Sequence, residues 1–269
     1  LSRIGFSWDT IGLLCWIIPS ILIGFLSMYL LSRFLWDCDK KSAIISGLVY
    51  VGNTYFMMVF SGGQLGVALS YGMVPLVVFR FLKNVEKPDL RNSIFFGLVF
   101  SLQLLFYPRI FIITCILLGL LLFIGEIKAF FKAFKYTILL PLILICLTHG
   151  YWIVPILLYY ARSKITPTIY ASTNDFSFFS FAKLENTISL LHPNWPENIF
   201  GRVHFMRPEF ILIPTIAFVS LLNNSKKRAK KIVIITLVSL LFVFLAKGVN
   251  DPFGFVYKKK KKSVPGFSM

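Results

Sequence analysis

Few side chains in this sequence could take part in acid–base or metal chemistry. The chain has 28 Lys and Arg residues, but only 11 Asp and Glu residues and 3 His residues. It has no glycine-rich phosphate loop, no zinc-ligand spacing and no serine-centred nucleophile motif. The cofactor stays open, with a divalent metal among the alternatives. The remaining candidates are single arginine, histidine, aspartate and tryptophan side chains.

Arg109 follows Tyr107 and Pro108 at the tip between two short apolar stretches. A guanidinium at such a tip could bind a phosphate as a bidentate donor. Alternatively, its long side chain reaches the lipid headgroups and binds no ligand. Both interpretations place Arg109 at the surface of a membrane, which the composition described below predicts.

His149 lies inside an apolar stretch, in the sequence LTHGYW. An ionisable group at membrane depth is energetically costly, and it therefore indicates a function. The imidazole could carry a proton or donate to a pyrophosphate. The alternative is a neutral histidine that hydrogen-bonds to a neighbouring helix.

Three further candidates lie outside the apolar stretches. Asp9 precedes the first of them, where its carboxylate could be a general base or only the N-cap of a helix. Trp195 could stack on a sugar ring or pack in the protein. Arg202 lies in the basic and aromatic sequence GRVHFMR, which could bind a lipid phosphate or mark the membrane interface.

The composition requires a membrane for most of the chain. The sequence is 57% hydrophobic and 14% charged, and its mean hydropathy is +0.77. A soluble domain of 269 residues could not bury so much apolar surface. The net charge of +17 raises the possibility of a nucleic-acid partner, but the basic residues mostly flank apolar runs. We therefore predict an all-α, polytopic transmembrane protein and no nucleic acid.

We predict about eight membrane segments. Apolar runs recur at helical length, and a peptide group in lipid must find its hydrogen bond inside its own helix. The segments are Ile11–Leu31, Ala43–Phe60, Leu65–Phe81, Ile94–Phe106, Ile110–Ile124, Tyr136–Tyr159, Phe210–Leu222 and Ile232–Ala246. The two short runs on either side of Pro108 are either two crossings or a re-entrant pair.

The distribution of charge predicts the sidedness of the segments. Four short loops carry just over half of the 28 basic residues, and these loops alternate with less basic ones. Because basic loops stay in the cytoplasm, residues 160–209 and both visible ends are expected outside it, at a cell membrane. The Lys258–Lys262 run opposes this trend, and it is either a patch for anionic lipid or a sequence artefact.

We expect one membrane domain over residues 1–269, with residues 160–209 as an outer loop within it. The sequence starts at Leu1 and not at Met, so we expect a fragment of a longer protein.

Three stretches together resemble the GT-C superfamily of polytopic glycosyltransferases. They are GYWIVPILLYY at residues 150–160, HPNWP at 192–196, and LAKGVNDPFGFVY at 245–257 followed by VPGFSM. The resemblance is to the branch of large arabinofuranosyltransferase-like proteins of the cell envelope and their relatives.

The resemblance implies transfer from a polyprenyl-phosphate-linked sugar to a glycan or lipid acceptor on the outer face. It also implies a catalytic acid in a first outer loop, which we expect upstream of Leu1, so that only Asp9 remains as a candidate here and the fragment alone would be inactive. Arg109, His149, Trp195 and Arg202 are the expected substrate contacts. The alternatives are a lipid or polysaccharide transporter or flippase, and a non-catalytic membrane assembly factor.

Overall fold

The computed structural model describes residues 7–122, 134–162, 184–188, 211–222 and 226–255. All regular secondary structure in these ranges is helical, which confirms the all-α prediction. The chain forms two compact units, Leu1–Leu158 and Tyr159–Met269. The single domain expected over residues 1–269 stays a prediction.

Among the described residues of the first unit, eight α-helices begin, and π-helical turns at Leu13–Ile17 and Lys135–Leu139 precede α2 and α8. The helices are α1 (Trp8–Gly12), α2 (Ile18–Trp36), α3 (Lys40–Val51), α4 (Thr54–Ser61), α5 (Leu65–Glu86), α6 (Leu90–Phe106), α7 (Pro108–Leu121) and α8 (Leu140–Arg162).

The described part of the second unit also consists of helices. They are α9 (Leu184–Ile188), α10 (Leu212–Val219), a 3₁₀ turn at Ser220–Leu222, and α11 (Lys226–Ala246).

Three helical stretches among the described residues are long and apolar enough to cross a membrane: Asp9–Trp36, Leu65–Glu86 and Lys135–Tyr159. A fourth is possible if α3 and α4, bent by 41°, form one span. The expected eight crossings are therefore not confirmed. At 1.5 Å per residue, α6 reaches about 25 Å and α7 about 21 Å, whereas the hydrocarbon core is roughly 30 Å thick.

The predicted segment Ala43–Phe60 is two helices and not one. The chain bends at Gly52, and the Asn53 side chain caps α4 by accepting a hydrogen bond from the Phe56 amide at 3.0 Å. Asp39 caps α3 in the same manner. Hydrogen bonds from Ser42 are the main cause that lowers the pKa of the exposed Asp39 carboxyl.

Helices α2 and α5 approach closely through small residues. A Cβ atom on Gly72 would lie 2.8 Å from the Ser20 carbonyl oxygen, so only glycine fits there. The Ser27 hydroxyl donates to the Gly72 carbonyl at 3.2 Å across the same contact. Small residues at such contacts let the two helix backbones approach closely.

Aromatic rings fill the contact between α5, α6 and α7. Phe81 lies against Phe96, which stacks on Phe100 with ring centroids 5.3 Å apart. Phe100 in turn lies 4.3 Å from Phe111 of α7. Because α7 returns along α6 in this way, the two short helices form a hairpin around Pro108.

The π-helical turn before α8 leaves one carbonyl without an intrahelical donor. Leu140 donates to the Lys135 carbonyl, five residues back, so the next donor in the series would be Pro141, which has no N–H. The free Tyr136 carbonyl accepts instead from Asn84 Nδ2 at 2.8 Å and from Ser93 Oγ at 2.6 Å. Pro141 therefore leads to a polar link between α8, α5 and α6.

We predict that Gly72→Leu destabilises the protein by about 1–3 kcal/mol, because the added side chain forces α2 and α5 apart. Thermal unfolding in lipid nanodiscs measures the loss. Gly119→Leu on α7 is the matched control, since nothing lies within 4 Å of its Cβ position. Equal unfolding temperatures for the two variants would refute the close contact.

We also predict that Ser93→Ala costs roughly 0.5–1.5 kcal/mol and that the cost shrinks in a Pro141→Ala background. Alanine at 141 restores an N–H that can bind the Tyr136 carbonyl. A double-mutant cycle measures this coupling. Ser46→Ala is the control, because the Ser46 hydroxyl bonds a carbonyl within its own helix. Additive effects of the two substitutions would contradict the account of the π-helical turn.

Candidate functional site

Arg109 lies at the break between α6 and α7. Tyr107 is extended there (φ −159°, ψ 106°), and Pro108 occupies the first turn of α7, where its missing N–H costs nothing. No side chain caps this helix. Arg109 is exposed, so its guanidinium points away from the packed unit.

The α6–α7 break lies beside the turn between α4 and α5. A Cβ atom on Gly66, in the first turn of α5, would lie 3.1 Å from the Phe106 carbonyl oxygen. Ile110 packs in a cluster with Phe56 and Val59 of α4 and with two residues of α5, Val67 and Ala68. Arg109 therefore lies at the end of the first unit that also holds this turn.

Asp9 is brought to the same end. The ring of Trp16 lies 6.1 Å from that of Phe106, edge to face, and Asp9 precedes Trp16 by about two helical turns. The expected N-cap role of Asp9 is wrong. Ser7 is the N-cap, and its Oγ accepts from the Thr10 amide at 3.2 Å, whereas Asp9 is exposed in the first turn of α1.

A tyrosine cluster underlies this end of the unit. Tyr50 and Tyr71 stack with centroids 4.8 Å apart, and the Tyr50 hydroxyl donates to the Tyr71 carbonyl at 2.6 Å. Asn53 Nδ2 donates to the Tyr71 hydroxyl at 3.0 Å and also to the Tyr50 carbonyl. Tyr55 lies 5.1 Å from Tyr71. These tyrosines lie on three different helices, α3, α4 and α5, so no sequence pattern connects them and they were not among the sequence-predicted candidates.

Gln103 forms a second polar centre close to the break. Its fully buried amide donates to the Ser70 carbonyl at 3.2 Å and to Thr114 Oγ1 at 3.0 Å. The Gln103 Oε1 atom is buried and has no partner. The side chain of Gln103 links α5, α6 and α7. The sequence signal that could have identified it is a polar amide inside an apolar run.

His149 is buried and bonded on both ring nitrogens. Trp152 Nε1 donates to Nδ1 at 3.0 Å, so Nδ1 must lack a proton. Nε2 then carries the proton of the neutral ring and faces the carbonyl oxygen of Ser101 at 2.9 Å. This is the arrangement of the alternative interpretation, a neutral histidine bonded to a neighbouring helix. His149 links α8 to α6.

Lys247 is a functional candidate that the sequence analysis missed. It follows α11 in the stretch LAKGVNDPFGFVY and is fully buried. Its Nζ donates to the Asn250 carbonyl at 2.6 Å and lies 4.6 Å from the Phe244 ring centroid. A lysine directly after an apolar run was the signal that could have found it, since a buried cation is costly.

Trp195, Arg202 and the Lys258–Lys262 run lie outside the described residues. Within the described ranges, no group of three His, Cys, Asp or Glu side chains is placed to hold a metal ion. The structure thus brings Arg109 and Asp9 to one end of the first unit, and it places His149 in a buried link between helices.

The chain matches no protein-family model, no curated protein and no solved structure. The likeness to the GT-C superfamily therefore rests on the three stretches quoted above. Two of them are described at least in part, as the second half of α8 and as the segment that holds Lys247.

We predict that His149 acts mainly as a structural link. His149→Leu removes the partners of Trp152 and Ser101 and should cost about 1–3 kcal/mol. His149→Gln keeps a donor near the Nε2 position and should lose less. Thermal unfolding, followed by tryptophan fluorescence, measures both. Two variants as stable as the parent would instead support a direct role in binding a ligand.

Proposed function

We propose that this protein is a membrane-embedded glycosyltransferase of the GT-C type that takes a polyprenyl-phosphate-linked sugar at the outer face of a cell membrane. One observation carries the proposal: Arg109 heads an exposed apolar face of α7. Ile112, Ile113 and Ile116 follow it at helical spacing, and all three are exposed. A cation followed by an apolar stripe matches a phosphate followed by a polyprenyl chain.

The electrostatics at Arg109 favour a phosphate ligand. The first turn of α7 carries the positive end of the helix dipole, and Arg109 adds a full charge there. A guanidinium can bind two phosphate oxygens at once. A bound anion would relieve the unfavourable placement of a cation at a helix N-terminus.

Aromatic and polar groups near the break suit a sugar. Tyr107 and Tyr55 are both partly exposed and pack on the cluster of Phe56, Val59, Val67, Ala68 and Ile110. Their rings can stack on a sugar face. Trp195 and Arg202 belong to the proposal as further contacts to the sugar and the phosphate, on the resemblance alone.

The proposed transfer is a single displacement at the anomeric carbon. A general base takes the proton of the acceptor hydroxyl, and the polyprenyl phosphate leaves, stabilised by Arg109. Asp9 is the candidate base within this sequence. The proposal also includes the predicted topology, in which the chain has eight membrane segments and places the loop 160–209 and both visible ends outside the cytoplasm.

The test is sugar transfer by the purified protein reconstituted in lipid. A panel of polyprenyl-phosphate sugars serves as donor, with glycan and lipid acceptors. Transfer would support the proposal. Movement of the donor across the bilayer without transfer would replace it with a flippase. If the folded protein shows neither sugar transfer nor donor movement, the remaining hypothesis is a non-catalytic membrane assembly factor.

We predict that Arg109→Ala lowers kcat/KM for the donor about tenfold or more and leaves the unfolding temperature unchanged, because an exposed guanidinium contributes little to packing. Arg109→Lys should retain part of the activity, since it keeps the charge but loses the bidentate geometry. Arg33→Ala, another exposed arginine near the far end of α2, is the control. An unchanged rate in Arg109→Ala would remove Arg109 from the site.

A further inference from the structure

A cluster of cationic side chains lies at the end of the first unit opposite to Arg109. Arg80, on α5, lies over the rings of Phe79 at 5.6 Å and Phe95 at 5.2 Å. Arg91, on α6, lies over the same Phe95 ring at 5.8 Å. Lys83 lies over Phe79 at 5.8 Å. Three cations therefore surround two rings, and we call these five residues the Phe95 cluster.

The cations of the Phe95 cluster are held by rings and not by carboxylates. Among the described residues, none of the three is within ion-pair distance of an acid. Asp89 is the nearest acid to Arg91 along the chain, and its carboxylate caps α6 by accepting from the Asn92 amide at 2.6 Å. Arg80 Nε is buried and has no partner. The cluster thus brings three positive charges together without a direct ion pair to any described acid.

An exposed apolar stripe continues from the cluster along α6. Phe95, Leu98, Leu102 and Leu105 follow Arg91 at spacings of three or four residues, and all are exposed. A free phosphate would need only the cations. A phospholipid would use both parts, with its phosphate on the guanidinium groups and an acyl chain on the leucines.

We infer that the Phe95 cluster is a binding site for the headgroup of an anionic phospholipid in the leaflet at this end of the unit. Cation–π contacts hold the guanidinium planes in place and leave N–H edges free for phosphate oxygens. The phosphate also offsets the repulsion between neighbouring cations. In the predicted topology this is the cytoplasmic leaflet, whose anionic lipids attract basic segments.

This inference is independent of the transferase proposal. Arg80 is 14 residues along α5 from Gly66, which is about 21 Å from the end that holds Arg109. It requires only that α5 and α6 lie in a membrane.

Native mass spectrometry of the purified protein tests the inference. The protein in detergent is titrated with phosphatidylglycerol and, separately, with phosphatidylcholine of the same chain length. We expect one phosphatidylglycerol to be retained about tenfold more strongly than phosphatidylcholine. Arg80→Gln/Arg91→Gln should abolish the preference, whereas Lys40→Gln/Lys41→Gln should preserve it. The control removes the same charge from exposed lysines at the start of α3.

Two further arms make the test decisive. Phe95→Leu keeps every charge and an apolar side chain but removes the shared ring, so it should weaken retention even if the arginine variant fails to fold. Inorganic phosphate in tenfold excess should not displace the lipid. Equal loss in the arginine and lysine variants, unchanged retention in Phe95→Leu, or displacement by inorganic phosphate would each overturn the inference.

Discussion

Buried backbone carbonyls that lose their helical donor must find another partner inside the protein, because a buried unpaired carbonyl is energetically costly. The packing of the first unit depends on this constraint. The Tyr136 carbonyl, freed by Pro141, is bonded by Asn84 and Ser93. The Tyr71 carbonyl accepts from Tyr50 of another helix. Each such bond joins two helices where apolar contact alone would specify no register.

The same bonds explain why polar residues lie inside apolar helices. Gln103 crosses from α6 to α5 and α7, and His149 crosses from α8 to α6. Both are buried, so their hydrogen bonds have no competition from water. Their role in holding the helices together leaves the exposed residues at the two ends of the unit for contacts with ligands.

The two ends of the first unit have related designs. At one end Arg109 precedes the exposed isoleucines of α7, and at the other Arg91 precedes the exposed stripe of α6. Both place a cation where an exposed apolar helix face begins, which is complementary to a ligand with an anionic headgroup and an apolar chain. They differ in their surroundings. Arg109 shares its end of the unit with Tyr55, Tyr107 and the exposed Asp9, whereas Arg91 and Arg80 share the Phe95 ring.

The sequence by itself determined the helical class and the positions of most helices, because long apolar runs bounded by polar and turn residues favour helices. It also identified Arg109 as a tip residue, since Tyr107 and Pro108 separate two apolar runs. Only the tertiary structure decided that Ala43–Phe60 breaks at Asn53, that Ser7 and not Asp9 caps α1, and that Asp9 and Arg109 share one end. It alone revealed the Phe95 cluster and the buried Lys247. The shared end and the Phe95 cluster depend on distances between helices far apart in the chain, which a single sequence does not contain. The two caps are local, but several neighbouring residues of each segment could cap a helix, and the sequence does not choose among them.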